Sequence, residues 1–296
     1  MTALRAPVLL LFIFAAVASI SATQSGIDDR EVVQASEILE KIERGEPVNY
    51  VDKVIEGNIS ICDLEHPELQ NGLIVISSQI TLQNCTIKGA LNFSNALMQG
   101  QLSFNNSILL DESDFSDSQL NRSACFINTI FSQKASFNEV QFKQRTDFQD
   151  ANFIGFAFFR SARFSQDADF RYVRFYNFCN FAEVQFTQSA DFQDANFSRT
   201  ALFKNARFSQ DADFRYVRFY YDCDFRGVQF AQSANFRLGR FYEYADFRNA
   251  QFSKDLYLKY AQIHYLIISD AELDEIVLKS WKDMGSMEYD ESAYLL

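Results

Sequence analysis

Apolar residues recur through the middle of the chain at steps that alternate between five and six residues. The alternation runs without a break from Leu82 to Ile263, giving seventeen consecutive eleven-residue units with two apolar centres each. All 24 centres from Phe126 to Phe252 are phenylalanine, out of 32 Phe in the chain. An amphipathic helix needs apolar steps of three or four, and a half-buried strand needs steps of two. The pattern therefore predicts neither a long helix nor a long strand.

A small side chain stands two residues before most centres, and a polar one stands directly before them, as in Ala168, Asp169 and Phe170. We interpret each unit as one side of a coil that turns a corner after every centre. The small residue and the Phe point inward. Stacked coils would pair edge to edge at about 4.8 Å and place Phe on Phe in offset stacks. The predicted core includes Phe148, Phe153, Phe170, Phe175, Phe192, Phe197, Phe214 and Phe219.

One thirteen-residue segment, FSQDADFRYVRFY, occurs twice, at Phe164–Tyr176 and at Phe208–Tyr220. The two copies are displaced by 44 residues. If a coil has four sides it takes 22 residues, and the copied block is two whole coils. On this interpretation, an eleven-residue deletion moves every later corner by half a turn. We expect it to be far more damaging than the loss of 22 residues.

The units resemble those of the pentapeptide-repeat proteins. "ADFQD", "ANFSR", "ADFRY" and "CDFRG" match the family motif of a small residue, Asp or Asn, Leu or Phe, and two polar residues. The resemblance covers about residues 74–278. It implies an all-β fold, a right-handed quadrilateral parallel β-helix (solenoid) with four units per coil. The departure is one extra residue in every second unit, and the sequence leaves open how that residue is accommodated.

Both ends of the array depart from the repeat. Residues 23–73 are expected to form a helical cap and a first irregular coil, with Ser36 as a candidate N-cap and Gly45 as a stop signal. The repeat β-helix is expected over 74–278, and a helical tail over 279–296. The tail resembles the start of the segment that, in some extracytoplasmic pentapeptide-repeat proteins, leads into a pore of the potassium-channel type.

The first 22 residues have the layout of a secretory signal, with Arg5 before an apolar run, Val8–Ile20, that is short for a membrane span. We predict a cleaved signal peptide over 1–22, with an uncleaved N-terminal anchor, and hence membrane association, as the alternative. Either one places the array outside the cell, at the cell surface or in the envelope. Six acceptor sequons would allow N-glycans on an exported chain: Asn58, Asn84, Asn92, Asn105, Asn121 and Asn196.

Charge and residue types narrow the chemistry. The 27 Lys and Arg against 39 Asp and Glu give a net charge of −12, which argues against direct nucleic-acid binding because phosphates would not be neutralised. The two histidines, His66 and His264, lie far apart in the array. The sequence contains no Gly-rich phosphate loop, paired-cysteine metal spacing or nucleophile elbow, and its five cysteines imply no disulfide framework. We predict no enzyme activity and no cofactor.

Four acids share one side of successive coils if the coil has 22 residues: Asp147, Asp169, Asp191 and Asp213. Carboxylates about 4.8 Å apart repel by roughly 1 kcal/mol per pair when solvated. A calcium ladder or a basic partner would relieve the repulsion. We favour a structural role, in which the acids bond corner amides and face arginines on neighbouring sides, namely Arg163, Arg174, Arg207 and Arg218. Arg171 and Arg215 are interpreted as repeating only because the block was duplicated.

The leading hypothesis is a non-enzymatic, exported scaffold that binds an unidentified protein partner at the cell surface or in the envelope. One alternative is an extracytoplasmic sensing domain of a channel-like membrane protein. Another is a DNA mimic, since some pentapeptide-repeat proteins resemble duplex DNA and occupy topoisomerases. Export argues against the mimic, because topoisomerases are cytoplasmic.

Overall fold

The computed structural model describes residues 29–269 and Glu272–Leu273. Within them the chain is a four-sided parallel β-solenoid of about 11 turns, which confirms the predicted fold class. Most strands are two residues long, and each pairs in parallel with the strand 22 residues later, as Ala168 does with Ala190. Twenty-two residues therefore make one coil.

The four faces are numbered in chain order. Face 1 is a sheet of ten strands: Val48–Val51, Ile80–Gln83, Leu102–Ser103, Ala124–Cys125, Thr146–Asp147, Ala168–Asp169, Ala190–Asp191, Ala212–Asp213, Ala234–Asn235 and Leu256–Tyr257. Face 4 is a sheet of eleven strands: Leu69–Gln70, Leu73–Ile76, Ala96–Met98, Gln119–Leu120, Gln141–Phe142, Arg163–Phe164, Gln185–Phe186, Arg207–Phe208, Gln229–Phe230, Gln251–Phe252 and Glu272–Leu273. All pairings on these two faces are parallel except the one between Leu69–Gln70 and Leu73–Ile76.

Faces 2 and 3 merge near the C-terminal end of the described array, where Arg240–Asp246 and Gln262–Ile267 each span both faces with a one-residue irregularity in their pairing. Face 2 also contains Val32–Gln34, Val54–Glu56, Thr86–Ile87, Ile108–Leu109, Ile130–Phe131, Asn152–Phe153, Arg174–Phe175, Asn196–Phe197 and Arg218–Phe219. Face 3 also contains Ile59–Ser60, Leu91–Asn92, Ser113–Asp114, Ala135–Ser136, Ala157–Phe158, Cys179–Asn180, Ala201–Leu202 and Cys223–Asp224.

The corners that follow faces 1 and 3 are tight. After Phe148, the N–H of Ala151 donates to the carbonyl oxygen of Phe148 over 2.9 Å, and Asp150 between them has a φ of +57°. This is the arrangement of a type II turn, whose third residue needs a positive φ. A left-handed residue recurs at every eleventh position from Asn84 to Tyr260. These corners belong to the five-residue steps.

The corners that follow faces 2 and 4 contain the sixth residue. Three residues, Ile154–Phe156, separate Phe153 from the next inward small residue, whereas two do so in a tight corner. Between residues 89 and 256, no residue of these wide corners has a positive φ. The extra residue widens the turn and removes the need for left-handed backbone. In some coils its side chain also accepts an N–H from the next coil, as Asp167 does from Ser189 over 3.2 Å.

The two halves of a coil have the same backbone, because the left-handed residues recur at eleven residues and not at 22. A half-turn shift therefore brings every tight corner onto another tight corner. This removes the physical basis for expecting an eleven-residue deletion to be especially damaging. The damaging deletions are those that place a tight corner over a wide one.

The core is a set of parallel Phe columns along the solenoid axis. Phe170, Phe192 and Phe214 on face 1 stack with ring centroids 4.7 and 4.9 Å apart and planes within 3°. Phe203 on face 3 meets Phe192 edge-on at 5.7 Å. The eight core Phe residues predicted from the sequence are all buried. All five cysteines are free thiols, and three of them, Cys85, Cys179 and Cys223, fill the small inward position.

A single helix, α1 (Ala35–Glu43), packs over the first coil among the described residues. Its buried side chains include Ile38 and Ile42. The expectation that Ser36 caps α1 is wrong: the N-cap is Gln34, because the strand Val32–Gln34 runs directly into the helix. The helix ends as expected at Gly45, whose φ is +68° and whose N–H donates to the carbonyl of Ile42, as in a Schellman motif.

The signal segment (1–22) and the tail (279–296) lie outside the described residues. Within the described part of the chain, no helix has the length and apolarity needed to cross a membrane.

Candidate interaction surface

The four predicted ladder acids do lie side by side on face 1. Cα pairing places Asp147 beside Asp169, Asp169 beside Asp191, and Asp191 beside Asp213, with Asn235 next in line. Each carboxylate also accepts the backbone N–H two residues later, at 2.9 to 3.1 Å. The acids are therefore bound into their own corners.

Arginines of the same face neutralise these acids. Arg171 donates to Asp169 through Nε at 2.9 Å and through Nη2 at 2.6 Å, and its Nε lies 3.7 Å from Asp191. Arg145 lies 3.4 Å from Asp147. Arg215 binds Asp213 in the same way as Arg171 binds Asp169.

The expectation that the arginines of neighbouring sides face the ladder is wrong. Arg163 and Arg207 belong to face 4, and Arg174 and Arg218 belong to face 2. The partners are residues two positions away on the same strand side, because the residues before and after an inward Phe both point outward.

A short motif could have revealed these pairs. The triplet Asp-Phe-Arg occurs at 169–171, 213–215, 224–226 and 246–248, and in every copy the arginine binds the carboxylate at 2.6 to 2.7 Å. Only the first two copies belong to the duplicated segment, so Arg171 and Arg215 do not repeat merely through duplication. The motif gives faces 1 and 3 matched, self-neutralising charges.

Burial and ion pairing act on these carboxyls in opposite directions. Burial raises the pKa of Asp147 and of Asp191 above the ordinary range, against the lowering effect of the backbone N–H that each accepts. Burial also opposes ionisation of Asp224, but hydrogen bonds from the side chain and backbone of Arg226 lower its pKa overall. Among the described residues, no three His, Cys, Asp or Glu side chains are grouped to hold a metal ion.

Face 2 has a different surface, which we name the tyrosine–arginine face. Its outward strand positions carry Arg174, Tyr176, Arg218, Tyr220, Arg240 and Tyr242. Tyr220 and Tyr242 stack at 5.0 Å with planes 4° apart. Burial raises the pKa of Tyr176 and of Tyr220, so their hydroxyls stay protonated and able to donate.

The two corners that flank the tyrosine–arginine face carry most of the exposed large apolar side chains. Ten such side chains are exposed among the described residues, and seven of them lie on these two rims. The first rim, between faces 1 and 2, contains Tyr172, Tyr216, Leu238 and Tyr260. The second rim, between faces 2 and 3, contains Phe156, Tyr221 and Tyr244. Clustering of this kind marks an interaction surface far better than scattered exposure does.

The repeats themselves match a known family. The family model described as Pentapeptide repeats (9 copies) matches residues 126–174, 148–195, 170–218, 192–238 and 214–262. The chain is a pentapeptide-repeat protein. This confirms the resemblance noted in the sequence. Searches of curated proteins and of solved structures gave no match.

The first rim of the pentapeptide-repeat array is built on backbone that bulky residues avoid. Tyr172, Tyr216 and Tyr260 have φ of +60°, +58° and +61°, and Leu238 has +60°. The same corner position in earlier coils carries Asn106 and other Asn or Asp residues, which tolerate this conformation. A left-handed residue with a large side chain costs about 1 kcal/mol or more. The rim side chains are therefore held at the expense of local stability.

The array also has one open depression, of about 520 Å³, at the corner between faces 4 and 1. Its lining is polar: Ser77, Gln79, Gln99, Gly100, Gln101, Arg122, Ser123, Gln144 and Arg145. Arg145 is already engaged with Asp147 and Asp169. The depression lies between exposed side chains and has no apolar floor, so it is a weaker candidate than the tyrosine–arginine face.

Proposed function

We propose that the protein is an exported, non-enzymatic pentapeptide-repeat scaffold that binds a partner protein through the tyrosine–arginine face. One observation carries the proposal: seven of the ten exposed large apolar side chains in the described chain flank a single face. Interface cores are enriched in Tyr and Arg, and those residues supply most binding hot spots. A rigid β-solenoid presents them at fixed spacing.

The absence of catalysis is supported by the chemistry of the surface. The faces carry self-neutralised Asp-Arg pairs, Tyr and amide side chains, and the described residues contain no grouped metal ligands. His66 is exposed near the first coil, and His264 lies near the other end of the described array. A catalytic site needs an acid, base or nucleophile within reach of another functional group.

Export is supported by the sequence of residues 1–22, which has the basic start and short apolar run of a signal segment. Two of the six sequon asparagines, Asn58 and Asn84, are exposed. N-glycans at these positions would leave the tyrosine–arginine face free, because both lie near the N-terminal end of the array.

The DNA-mimic alternative is disfavoured by the acid ladder. A duplex mimic needs rows of uncompensated carboxylates, whereas the ladder acids are bound by Arg145, Arg171 and Arg215. The channel-linked alternative depends on residues 279–296, outside the described structure, and it stays a prediction.

A site-specific crosslinking experiment tests the interaction. Tyr216 is replaced by p-benzoylphenylalanine in the full chain in its native cells, and Ser209, an exposed position of face 4, serves as the matched control. We expect a discrete protein adduct from position 216 and none from position 209. Equal adducts from the two positions, or none from position 216, would overturn the proposal.

A fusion experiment tests export separately. Residues 1–28 are joined to a reporter enzyme that is active only outside the cytoplasm. We expect activity with these residues and none when Val8–Ile20 is deleted. Retention of the reporter in the cytoplasm would remove the exported location and would leave the scaffold role to be judged by the crosslinks.

A further inference from the structure

We propose that the tyrosine–arginine face binds an acidic segment of the partner protein, in extended conformation, whose carboxylates alternate with apolar side chains. This inference rests on the proposed function and specifies the chemistry of the partner. It follows from the charges left uncompensated on face 2, from the strained apolar rim beside them, and from their common direction along the solenoid axis.

The charge argument comes from a contrast between faces. Arginines of the Asp-Phe-Arg motif on faces 1 and 3 each bind a carboxylate within the same triplet. Arg174, Arg218 and Arg240 on face 2 form no ion pair with any described residue, and the one bond of Arg218 is to the amide of Asn196 at 3.3 Å. From 152 to 264, the outward strand positions of face 2 carry no Asp or Glu.

Acids do occur at the corners of this face, but those with known contacts are used in the backbone. Asp194 accepts Asn196 through its carbonyl group, and the carboxylate of Asp222 accepts the N–H of Tyr244 at 3.3 Å. The three guanidiniums therefore remain available for carboxylates from outside, for which Arg is suited by its planar, bidentate geometry.

The strain argument concerns the first rim. Tyr172, Tyr216, Leu238 and Tyr260 adopt left-handed backbone that Asn fills at the same corner in earlier coils. The hydroxyls of Tyr172 and Tyr216 have no hydrogen-bond partner in the described part of the chain, so folding gains no bond there from the tyrosine in place of Asn. Strained residues that stabilise nothing within the fold point to a role in binding. Apolar anchors of the partner would pack against this rim.

The dimensions set the length of the segment. The rim from Tyr172 to Tyr260 crosses four coil spacings, since the same corner recurs every 22 residues. At about 4.8 Å per spacing this is about 19 Å, which an extended chain covers with about six residues at ~3.3 Å each. The column of Arg174, Arg218 and Arg240 runs in the same direction. A short extended segment along the axis can therefore reach both features.

A displayed library of random 12-residue peptides tests the proposal with the full chain. The library is selected on the wild type and counter-selected on the triple variant Arg174→Gln, Arg218→Gln, Arg240→Gln. Arg163→Gln with Arg207→Gln on face 4 is the matched control, since these two occupy the same strand position and also form no ion pair in the described structure. Bound peptides are then measured by fluorescence anisotropy.

We expect the recovered peptides to be rich in Asp and Glu with interspersed apolar residues. They should bind the triple variant and the Tyr172→Asn, Tyr216→Asn variant about tenfold more weakly, and the face 4 control unchanged. Binding should also weaken as salt rises from about 0.05 to about 0.5 M. Dextran sulfate is the second probe, and it should compete poorly because it lacks apolar anchors.

Peptides without enrichment of acids, no recovered peptides at all, or equal binding to the triple variant would overturn the inference. Binding of dextran sulfate that exceeds peptide binding and is lost in the triple variant would also overturn it, in favour of an anionic polysaccharide. The crosslink at position 216 is independent of these outcomes. If that crosslink forms and the peptides are not acidic, the scaffold role stands and the proposed partner chemistry fails.

Discussion

Tyr172 and Asp150 occupy the same corner of adjacent coils with the same backbone, at φ of +60° and +57°. The backbone N–H of Asp150 donates to the carbonyl of Arg171, the residue directly before Tyr172, over 2.9 Å. One corner therefore accepts a residue suited to it and a residue that is not. The comparison isolates the cost of the rim, because the surrounding hydrogen bonds are shared.

Replacing the rim tyrosines by Asn should stabilise the protein. We expect Tyr172→Asn and Tyr216→Asn each to increase the free energy of unfolding by about 0.5–1 kcal/mol, because Asn tolerates left-handed backbone better than Tyr. Denaturant unfolding followed by circular dichroism measures the change. Tyr220→Asn, at a strand position, is the control and should give no gain. A loss of stability in the rim variants would show that the tyrosines support the fold.

The predicted half-coil equivalence can be tested with deletions. Removing 22 residues (191–212) or eleven residues (191–201) should leave a shorter, folded solenoid, because tight corners still follow wide ones. Removing five residues (191–195) places two six-residue steps in succession and should unfold much of the array. Circular dichroism and protease resistance of the three proteins give the answer. An eleven-residue deletion as disruptive as the five-residue one would refute the equivalence.

Phe192 tests the inward assignment of the centres. It is fully buried between Phe170 and Phe214, so Phe192→Ala should destabilise by about 3–5 kcal/mol. Phe178 lies in a wide corner, half-buried, and its ring is 6.2 Å from that of Phe158. Phe178→Ala should cost about 1 kcal/mol or less. Similar shifts in the denaturant midpoint for the two variants would contradict the core described above.

Asp191 and Asp224 should respond to pH in opposite ways. For Asp191, the raised pKa means that its stabilising contribution is present below the ordinary value of 3.8 and is lost as pH rises through the folded pKa. For Asp224, the lowered pKa means that its contribution is present above 3.8 and is lost as pH falls through the folded pKa. Asn keeps the backbone hydrogen bond in both cases, as Asn235 shows.

The variants Asp191→Asn and Asp224→Asn turn this difference into a measurement. Relative to wild type, Asp191→Asn should gain stability between about pH 3 and about pH 7, whereas Asp224→Asn should lose stability over the same interval. Thermal melts across that range give both curves. Parallel curves for the two variants would show that the Arg226 pairing does not set the behaviour of Asp224.

Calcium should leave the melting temperature of the wild type unchanged. The ladder carboxylates are bound to corner amides and arginines, so a cation would have to displace bonds that already exist. The control is the fourfold Asn variant at 147, 169, 191 and 213. A rise of several degrees with calcium in wild type, absent in this variant, would establish the calcium ladder instead.

The fold was open to prediction because the Phe spacing encodes it almost alone. Alternating steps of five and six fix the coil length, and the small residues two places earlier fix which side faces inward. The Asp169–Arg171 pair was equally readable, because both residues flank one inward Phe. The strain at Tyr172 was not, since residue type does not report φ, and the left-handed corner had to be seen in the backbone. Clustering of the two rims likewise required knowing which corners flank one face.

The constant 22-residue separation of paired strands also bears on how the chain folds. Each new coil closes a loop of the same length, so the entropy lost on closure is the same for the last coil as for the first. Relative contact order falls as the array lengthens, and folding by growth along the axis meets no additional topological barrier. A block of 44 residues could therefore be copied in one event without slowing the search for the native state.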